Sequence, residues 1–443
     1  MLLSGAFEPV AKWWLAPIAI ALHMYAISTT KRKNLSAFLF AFTFNLLSLH
    51  WTSTFVGSTP WIILAIGLSL FYLPLALIGR WGIASYSLIF IIVEEVRNHF
   101  PFGGFGWLRI AYSQPDSPYS QIASRGGAIA LSALTVLIGS FIYYLFNKRI
   151  KLLLLLPGLL LLIPNQVSVV GETSALLVQG NVPQLGLDFN SRAKEVFNNH
   201  VKESMIALKE NNNVDFIVWP ENSVDVDPYT NKDVFEQLQS FDTPLIVGAI
   251  VRKSEKLLNT SILWQKANQE IYVKQHLTPF GEYIPLRSIA SKISPLANEV
   301  EDFSPGNRQK TFIVGQARIA PVICFELIDD EILSKAAKDS NILVVQTNSA
   351  TFGTSAESAQ QLSISRIRAI EHSRNILSVS TTGYSAVIDY NGRVLQKTSM
   401  ATAEHLHATV ELINQQSLRD RAGNWASVGT FIWLFVVARR VRT

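Results

Sequence analysis

Cysteine is nearly absent from this chain: among its 443 residues there is one, Cys324. A single cysteine excludes an internal disulfide, and no group of cysteine and histidine residues has the spacing of a zinc site. Charged residues are also scarce, at 16%, whereas 49% of the residues are hydrophobic. This composition is too apolar for an ordinary soluble protein of this length. Internal repeats, low-complexity tracts and phosphate-binding glycine motifs are absent as well.

The hydrophobic residues are concentrated in the N-terminal third of the chain and in a short stretch near its C-terminus. We expect a membrane α-helical bundle, although several of the apolar segments are shorter than the ~20 residues that span a bilayer. The alternative, buried helices of a large soluble core, is disfavoured because soluble cores rarely place so many nearly uncharged stretches in succession. The predicted segments are Trp13–Ser28, Leu35–His50, Trp61–Ile78, Ile83–Val96, Gly127–Phe146, Leu152–Val167 and Val428–Ala438.

Three basic clusters, at 31–33, 148–151 and 439–442, predict the orientation of these segments. Alternating crossings place all three on one side, which the positive-inside rule makes cytoplasmic. The net charge of +5 therefore indicates membrane orientation and not a nucleic-acid partner. The polar stretch 168–421 then lies outside the cytoplasm, in the periplasm of a bacterium. The same count leaves the N-terminus outside, so we expect 1–7 to belong to a further helix or the true start to lie upstream.

Residues 1–167 are thus predicted as membrane helices, 168–421 as an extracytoplasmic domain, and 422–443 as a last membrane helix with a basic cytoplasmic tail. Strand-like and helix-like runs alternate through the polar stretch, which predicts a layered α/β domain of about 250 residues. We expect the strand Ile319–Phe325 to lead directly into a helix from Glu326. We also expect Ile376–Thr382 to pair with Ser385–Leu395 around the turn Asn391–Gly392.

Cys324 is the first candidate for chemistry. A cysteine between a strand and a helix is well placed as a nucleophile, because the turn exposes its side chain and the helix N-terminus favours a thiolate. Taken alone, a lone cysteine is more often a small buried hydrophobic residue. The interpretation as a nucleophile depends on its companions.

Two ionisable residues follow other predicted strands and supply what acyl transfer needs. Glu221 comes directly after Phe216–Pro220, where its ordinary role would be that of a carboxylate near a helix start. Lys274 lies at a strand end, where a lysine is usually solvated. Acyl transfer requires a nucleophile, a base and a cation or donors at the oxyanion, and Cys324, Glu221 and Lys274 provide these in turn. Glu282 lies eight residues after Lys274, across a Pro-Phe-Gly turn that we expect to bring the two side chains together.

Three motifs resemble those of the nitrilase, or carbon–nitrogen hydrolase, superfamily. Combined with several N-terminal membrane helices, they are similar to the apolipoprotein N-acyltransferase family, and the resemblance covers nearly the whole chain. The motifs are Trp219-Pro-Glu221, Lys274-x-His-Leu-x-Pro-Phe-Gly-Glu282 and Ile323-Cys-Phe-Glu326, supported by 107–114, 178–184 and 421–425.

This resemblance implies a nitrilase-like αββα sandwich in which Glu221, Lys274 and Cys324 are catalytic, with Glu282 and Glu326 in supporting roles. The chain departs from the family pattern at a few positions. Phe325 stands where tyrosine is usual, 348–353 reads Asn-Ser-Ala-Thr-Phe-Gly where Asn-Asp-Ala-Trp-Phe-Gly is usual, and a tryptophan is replaced near Leu187. We interpret four residues as parts of substrate-contacting loops: Phe325, Asn348, Phe352 and Tyr283.

The resemblance further implies an enzyme of the bacterial inner membrane. It would transfer a fatty acyl group from a phospholipid to the N-terminal diacylglyceryl-cysteine of an apolipoprotein, by a ping-pong route through a thioester on Cys324, without a metal or organic cofactor. We expect a monomer. Two alternatives stay open: a membrane-anchored amidase or nitrilase that hydrolyses a C–N bond, and a membrane scaffold whose hydrolase domain has lost its activity.

Overall fold

The structure is a computed structural model, and it describes residues 1–165, 167–182, 194–211, 213–293, 298 and 301–441. The predicted departure near Leu187 lies outside these residues. The chain divides into two units, Met1–Gln166 with Ser417–Thr443, and Val167–Gln416. The second unit therefore ends at Gln416, where the sequence predicted a boundary at Arg421.

The first unit consists of helices. Each of the seven predicted membrane segments contains helix among the described residues, but in the sixth it is a 3₁₀ helix, Leu152–Leu162, which contains Pro157. The α-helices are α1 Leu15–Thr29, α2 Lys33–Ser48, α3 Ser53–Val56, α4 Ser58–Leu70, α5 Ile78–Trp81, α6 Tyr86–His99 and α7 Ala123–Phe146, followed after the second unit by α13 Leu418–Ala422 and α14 Asn424–Arg440.

By length and composition, two helical segments among the described residues are able to cross a membrane. Ser58–Trp81 has 24 residues and a mean hydropathy of 2.4, and Ser120–Phe146 has 27 residues and a mean hydropathy of 2.0. The helices α1 and Leu152–Leu162 are apolar but shorter. Seven crossings remain a prediction.

Close packing of small residues joins helices within this unit. A Cβ on Gly139 of α7 would lie 2.7 Å from Ile20 and 2.8 Å from the carbonyl oxygen of Pro17, both on α1. One turn of α7 is also bonded to α6, because the hydroxyls of Ser140 and Ser87 are 2.8 Å apart. Small residues and hydroxyl pairs of this kind hold helices together where the surroundings are as apolar as the side chains.

The second unit is a sandwich of two six-stranded sheets. The sheet orders are β12-β1-β2-β3-β4-β5 and β11-β10-β9-β8-β7-β6. The strands are β1 Val169–Gln179, β2 Phe216–Val218, β3 Leu245–Lys253, β4 Lys256–Gln265, β5 Asn268–Val273, β6 Phe312–Val314, β7 Ala317–Ile323, β8 Ile342–Thr347, β9 Ile376–Ser380, β10 Ala386–Ile388, β11 Val394–Lys397 and β12 Glu404–Ile413.

Helices cover the outer faces of both sheets. α8 packs on β1 and β12 and α9 on β4, whereas α11 and α12 pack on the strands β7 to β10. This αββα arrangement agrees with the prediction. The helices of this unit are α8 Glu195–Glu210, α9 Lys232–Gln239, α10 Arg287–Ile293, α11 Asp330–Asp339 and α12 Ala356–His372.

The alternation of side chains along β1 explains why the strands read as continuous apolar runs. Ala175 and Leu177 point between the two sheets, whereas Leu176 and Val178 belong to the cluster under the helices. Both faces of β1 are covered from Thr173 to Gln179, where every residue is buried, so the apolar residues Ala175–Val178 follow one another without alternation. The sequence pattern therefore located the strand but not its two faces.

Two local predictions were wrong. The residues after β7 form a 3₁₀ turn, Cys324–Ile328, and α11 begins only at Asp330. Asp329 caps α11 by accepting hydrogen bonds from the backbone N–H groups of two residues of its first turn, which fixes the later start. The predicted pairing of Ile376–Thr382 with Ser385–Leu395 is confirmed, because β9 pairs with β10, but the turn was misplaced, since Gly392 lies between β10 and β11.

Candidate active site

Glu221 is held in place by a close approach between two strands. It follows β2, and its turn packs on β3 because the backbone N–H of Val224 donates to the carbonyl oxygen of Gly248 at 3.0 Å. A Cβ on Gly248 would lie 2.3 Å from the carbonyl oxygen of Pro220 and 2.6 Å from the Cα of Glu221. Any other residue at this position would push the carboxylate away.

Lys274 lies between two carboxylates. Its Nζ is 3.0 Å from Glu221 Oε1 and 2.8 Å from Glu282 Oε2. The predicted contact across the Pro-Phe-Gly turn is therefore confirmed. Asn259 of β4 completes the cluster, since its Nδ2 donates to Glu221 Oε1 at 2.8 Å and to Glu282 Oε1 at 2.6 Å. The Thr278 backbone N–H also donates to Glu282 Oε2, at 2.7 Å, which fixes that side chain from a second direction.

The charges in this cluster stabilise one another. Burial alone would lower the pKa of Lys274, but Glu221 and Glu282 outweigh it and raise that pKa above its ordinary value. Burial likewise acts to raise the pKa of Glu282, and the Lys274 ammonium overcomes it, so that this pKa is lowered. The lysine is therefore charged at neutral pH, and Glu282 is its ionised partner.

Cys324 has a strained backbone and an un-ionised thiol. Its φ is +48°, in the left-handed region, which costs a residue with a side chain about 1–3 kcal/mol. The residue keeps part of its surface exposed. Desolvation nevertheless raises the pKa of the thiol well above its ordinary value, and the negative charge of Glu221 raises it further, while Lys274 acts in the opposite direction. The expectation that a helix N-terminus favours a thiolate here was wrong, because α11 begins only at Asp330. The thiol must instead lose its proton to a base.

Glu326 ties the loop that carries the cysteine to the loop that carries the lysine. Its Oε2 accepts from the backbone N–H of Ile323 at 2.7 Å. Its Oε1 accepts from the Gln275 backbone N–H at 2.6 Å and from the Tyr272 hydroxyl at 2.7 Å. Burial raises the pKa of Glu326 to about 7. We infer that this carboxyl positions the two loops, because its oxygens are occupied by bonds to them.

The four residues predicted to line substrate loops occupy different environments. Phe325 is buried, and its ring packs edge-on against His276 at 5.2 Å. Asn348 Oδ1 accepts from the Thr381 hydroxyl at 2.9 Å, which anchors its loop. Tyr283 and Phe352 keep part of their surfaces exposed. Contact of these four with a substrate remains a prediction.

Sequence reasoning missed three residues of this site. Asn259 stands inside β4, and its bond to both carboxylates depends on the pairing of β4 with β3 and β5, which no local pattern reveals. Gln361 of α12 donates from Nε2 to Cys324 Sγ at 3.6 Å. Glu357, one turn earlier, affects the pKa of Cys324 through its charge. The described residues contain no group of three or more His, Cys, Asp or Glu side chains that could hold a metal ion.

Comparison with known proteins agrees with this geometry. Residues 1–141 match the model of the apolipoprotein N-acyltransferase N-terminal domain, and residues 177–420 match that of carbon–nitrogen hydrolases. An apolipoprotein N-acyltransferase of Mycolicibacterium smegmatis is 30% identical over 92% of this chain and 78% of its own length. That of Photobacterium profundum is 27% identical over 96% of this chain and 90% of its own length.

Among solved structures, a carbon–nitrogen hydrolase from Helicobacter pylori is similar over 61% of this chain and 96% of its own, with 17% identity and a TM-score of 0.42. The carbon–nitrogen hydrolase model matches more than half of the chain, and the mycobacterial relative is aligned over most of both proteins. The chain therefore belongs to the apolipoprotein N-acyltransferase family, and its second unit to the carbon–nitrogen hydrolases.

Proposed function

We propose that this protein transfers a fatty acyl group from a membrane phospholipid to the N-terminal α-amine of a diacylated lipoprotein, through a thioester on Cys324. The observation that supports this most is the position of Lys274 between two buried carboxylates. The charge of Lys274 also acts to lower the pKa of Cys324, the only cysteine in the sequence. The same three residue types supply a base, a cation and a nucleophile within one cluster. Membership of the family supplies the substrate classes.

In the first half-reaction, Glu221 takes the proton of the Cys324 thiol, and the thiolate attacks the ester carbon of the phospholipid. A C–S bond forms while the C–O bond to the glycerol breaks. Glu221 passes its proton to the departing oxygen, so that a lysophospholipid leaves and Glu221 is again a carboxylate.

Lys274 stabilises the oxyanion that forms in this step. An ammonium group has three N–H donors. Among the described residues two of them point to Glu221 and Glu282, which leaves one for the substrate oxygen. A backbone N–H close to Cys324 serves as a second donor. Because the two carboxylates hold the lysine before the substrate arrives, the site pays no reorganisation cost at the moment of reaction.

In the second half-reaction, the neutral α-amine of the acceptor attacks the thioester carbon. A C–N bond forms and the C–S bond breaks. Glu221 takes one proton from the nitrogen and returns it to the sulfur, which restores the thiol. The product is an amide, and no oxidant or further reactant is consumed.

The remaining parts of the proposal concern the surroundings of this site. The first unit anchors the protein in the bacterial inner membrane through seven crossings, and the second unit works in the periplasm as part of a monomer. The positive clusters at 31–33 and 148–151 support this orientation. A membrane bundle is suited to a phospholipid donor. An enzyme that acts on a small soluble amide would not require such a bundle.

The test is mass spectrometry of the purified full-length protein after incubation with phospholipid vesicles. We expect an acyl adduct on Cys324 with release of lysophospholipid, and loss of the adduct when a diacylated lipopeptide is added. Cys324→Ser is the control: it should fold and insert normally but lack the adduct, because a hydroxyl is much harder to ionise than a thiol. Release of free fatty acid without amide formation would indicate a hydrolase, and an unlabelled wild-type protein would refute the proposal.

A further inference from the structure

One buried carboxylate in the second unit has no function in the mechanism above. Glu357 lies in the first turn of α12, and only 2% of its surface is exposed. The hydroxyl of Ser349 donates a hydrogen bond to its carboxyl group. Its Oε2 is fully buried and has no hydrogen-bond partner in the described part of the chain. A buried carboxylate oxygen without a partner is costly, so its presence in a folded protein requires an explanation, and a role in the site is one.

Glu357 belongs to the active-site pocket. Its charge raises the pKa of Cys324, and the charge of Glu221 raises the pKa of Glu357 itself. Gln361 lies one helical turn further along α12 and contacts Cys324 Sγ at 3.6 Å. Residues four apart lie on the same face of a helix, so Glu357 is on the side of α12 that faces the nucleophile. The pocket thus has acidic groups on two sides, Glu221 on one sheet and Glu357 on the helix above the other.

The second half-reaction has more protons to move than Glu221 can carry. An α-amino group has a pKa of about 8, so most acceptor molecules arrive as ammonium ions at neutral pH. The first proton must leave before the nitrogen can attack, and the second must leave as the amide forms. Glu221 carries the second proton to the sulfur of Cys324, which leaves the first proton without an acceptor.

We propose that Glu357 takes the first proton from the acceptor's ammonium ion, so that the amine becomes nucleophilic inside the pocket. This inference rests on the proposed function. The N–H bond breaks, its electron pair stays on nitrogen, and the proton is bound by the unpartnered carboxylate oxygen. Glu357 releases that proton to solvent after the amide product leaves. Before the proton is transferred, the ammonium ion also pairs with the carboxylate and offsets its burial.

The surroundings of Glu357 agree with this function. Burial raises its pKa to about 7, which is near the pKa of an α-amine and suits an exchange of protons between the two. Glu221 and Cys324 are the ionisable groups coupled to it, and the 3₁₀ turn Cys324–Ile328, which packs on α12, also carries the buried carboxyl of Glu326. The strands under α12, β9 and β10, carry no ionisable side chain. Asp330 of α11 pairs with Arg368, which lies about three helical turns from Glu357 along α12.

The experiment separates the two half-reactions in the full-length protein. Wild type and Glu357→Gln are first acylated on Cys324 from phospholipid, and each thioester is then mixed with a diacylated lipopeptide between about pH 6.5 and pH 9. We expect both proteins to form the thioester, so that the second half-reaction can be compared from equal amounts of acylated protein. Near pH 7 only about one-tenth of the amine is neutral, so the variant should transfer its acyl group about tenfold more slowly than wild type. Near pH 9 the difference should disappear.

Three controls isolate the effect. Hydroxylamine, a nucleophile that is already neutral near pH 7, should cleave both thioesters at the same rate. Glu331→Gln removes an exposed carboxylate from the first turn of α11 and should change nothing. Glu357→Asp keeps the acid and should recover part of the rate near pH 7, which separates a proton acceptor from a residue needed only for packing.

The outcomes are distinguishable from failure of the proposed function. An unlabelled wild-type Cys324 would refute acyl transfer itself. A variant that acylates and transfers like wild type at every pH would overturn the role of Glu357. So would a variant that is slowed equally across the pH range, or one that loses the first half-reaction while wild type retains it.

Discussion

Replacing Lys274 by methionine should reverse the pH dependence of stability in the catalytic unit. Lys274 Nζ lies within 3.0 Å of carboxylate oxygens of both Glu221 and Glu282. Methionine has a similar length and no charge, so Lys274→Met leaves two buried carboxylates that share only the Asn259 amide. The size of the expected effect follows from the distance between the carboxylates of Glu221 and Glu282.

Asn259 Nδ2 lies 2.8 Å from Glu221 Oε1 and 2.6 Å from Glu282 Oε1, so these oxygens are at most 5.4 Å apart. Two negative charges at that distance repel by about 3 kcal/mol at an effective dielectric constant of about 20. Burial adds to this cost. In the variant, one of the two carboxyls is therefore expected to hold a proton to a higher pH than an ordinary carboxyl does.

The sign of the pH effect follows from the two pKa shifts. In wild type Lys274 outweighs burial and lowers the pKa of Glu282 below its ordinary 4.5, so this pair stabilises the fold above pH 4.5 and the contribution is lost as the pH falls through the lowered value. In the variant the pKa of one carboxyl is raised. Its contribution is then present below pH 4.5 and is lost as the pH rises through the raised value.

The assay is thermal unfolding of the solubilised full-length protein near pH 5 and pH 8. We expect the free energy of unfolding to fall by about 3 kcal/mol more at the higher pH. For a unit of about 250 residues this is a difference of roughly 6–12 °C in Tm. Acylation of Cys324 should also slow by about 10²–10³, the usual cost of one oxyanion donor.

Lys335→Met is the matched control, because this lysine forms an exposed pair with Glu331 on α11. Such pairs contribute under about 1 kcal/mol, so neither the pH dependence nor acylation should change. Equal destabilisation of Lys274→Met at the two pH values would refute the reasoning on charge. Acylation at the wild-type rate would exclude Lys274 as the partner of the oxyanion.

Two further predictions concern the turn at Glu221 and the orientation of the chain. Gly248→Ala should slow acylation of Cys324, because the new Cβ would lie 2.6 Å from the Cα of Glu221. Gly429→Ala should be neutral, since no atom of the described residues lies within 4 Å of its Cβ. A fully active Gly248→Ala would contradict this account of the turn. In a Cys324→Ser background, a cysteine at Thr230 should react with an impermeant reagent from outside, and one at Ile150 only after lysis. The opposite labelling would reverse the proposed topology.

Much of the site was predictable because its residues follow apolar strands. Phe216–Val218 and Ala317–Ile323 are strands of the two sheets, and the sequence placed Glu221 directly after the first and Cys324 near the end of the second. The contact between Lys274 and Glu282 was predictable too, since a Pro-Phe-Gly turn between them limits where the chain can go. Local sequence suffices where the relevant contact is local.

The rest of the site depends on contacts between distant segments. Asn259 reaches both carboxylates because β4 pairs with β3 and β5 in one particular register, and a shift by one residue would turn its side chain to the other face. Glu357 reaches the pocket because α12 packs over the second sheet. The start of α11 was misplaced because Glu326 looked like a first-turn carboxylate, whereas its oxygens bind the backbone of two neighbouring loops.

The charge balance of the pocket explains why the resting nucleophile is a thiol. Lys274 is already paired with Glu282, so a thiolate would add an uncompensated negative charge in a buried site. Moving the proton of Cys324 to Glu221 keeps the total unchanged, so the nucleophile forms without an uncompensated charge. An ionised Glu357 would also raise the negative charge, which agrees with its raised pKa. The arriving ammonium ion supplies the missing positive charge. We infer that pairing with this ammonium ion favours the ionised form of Glu357, which is the form that accepts the first proton.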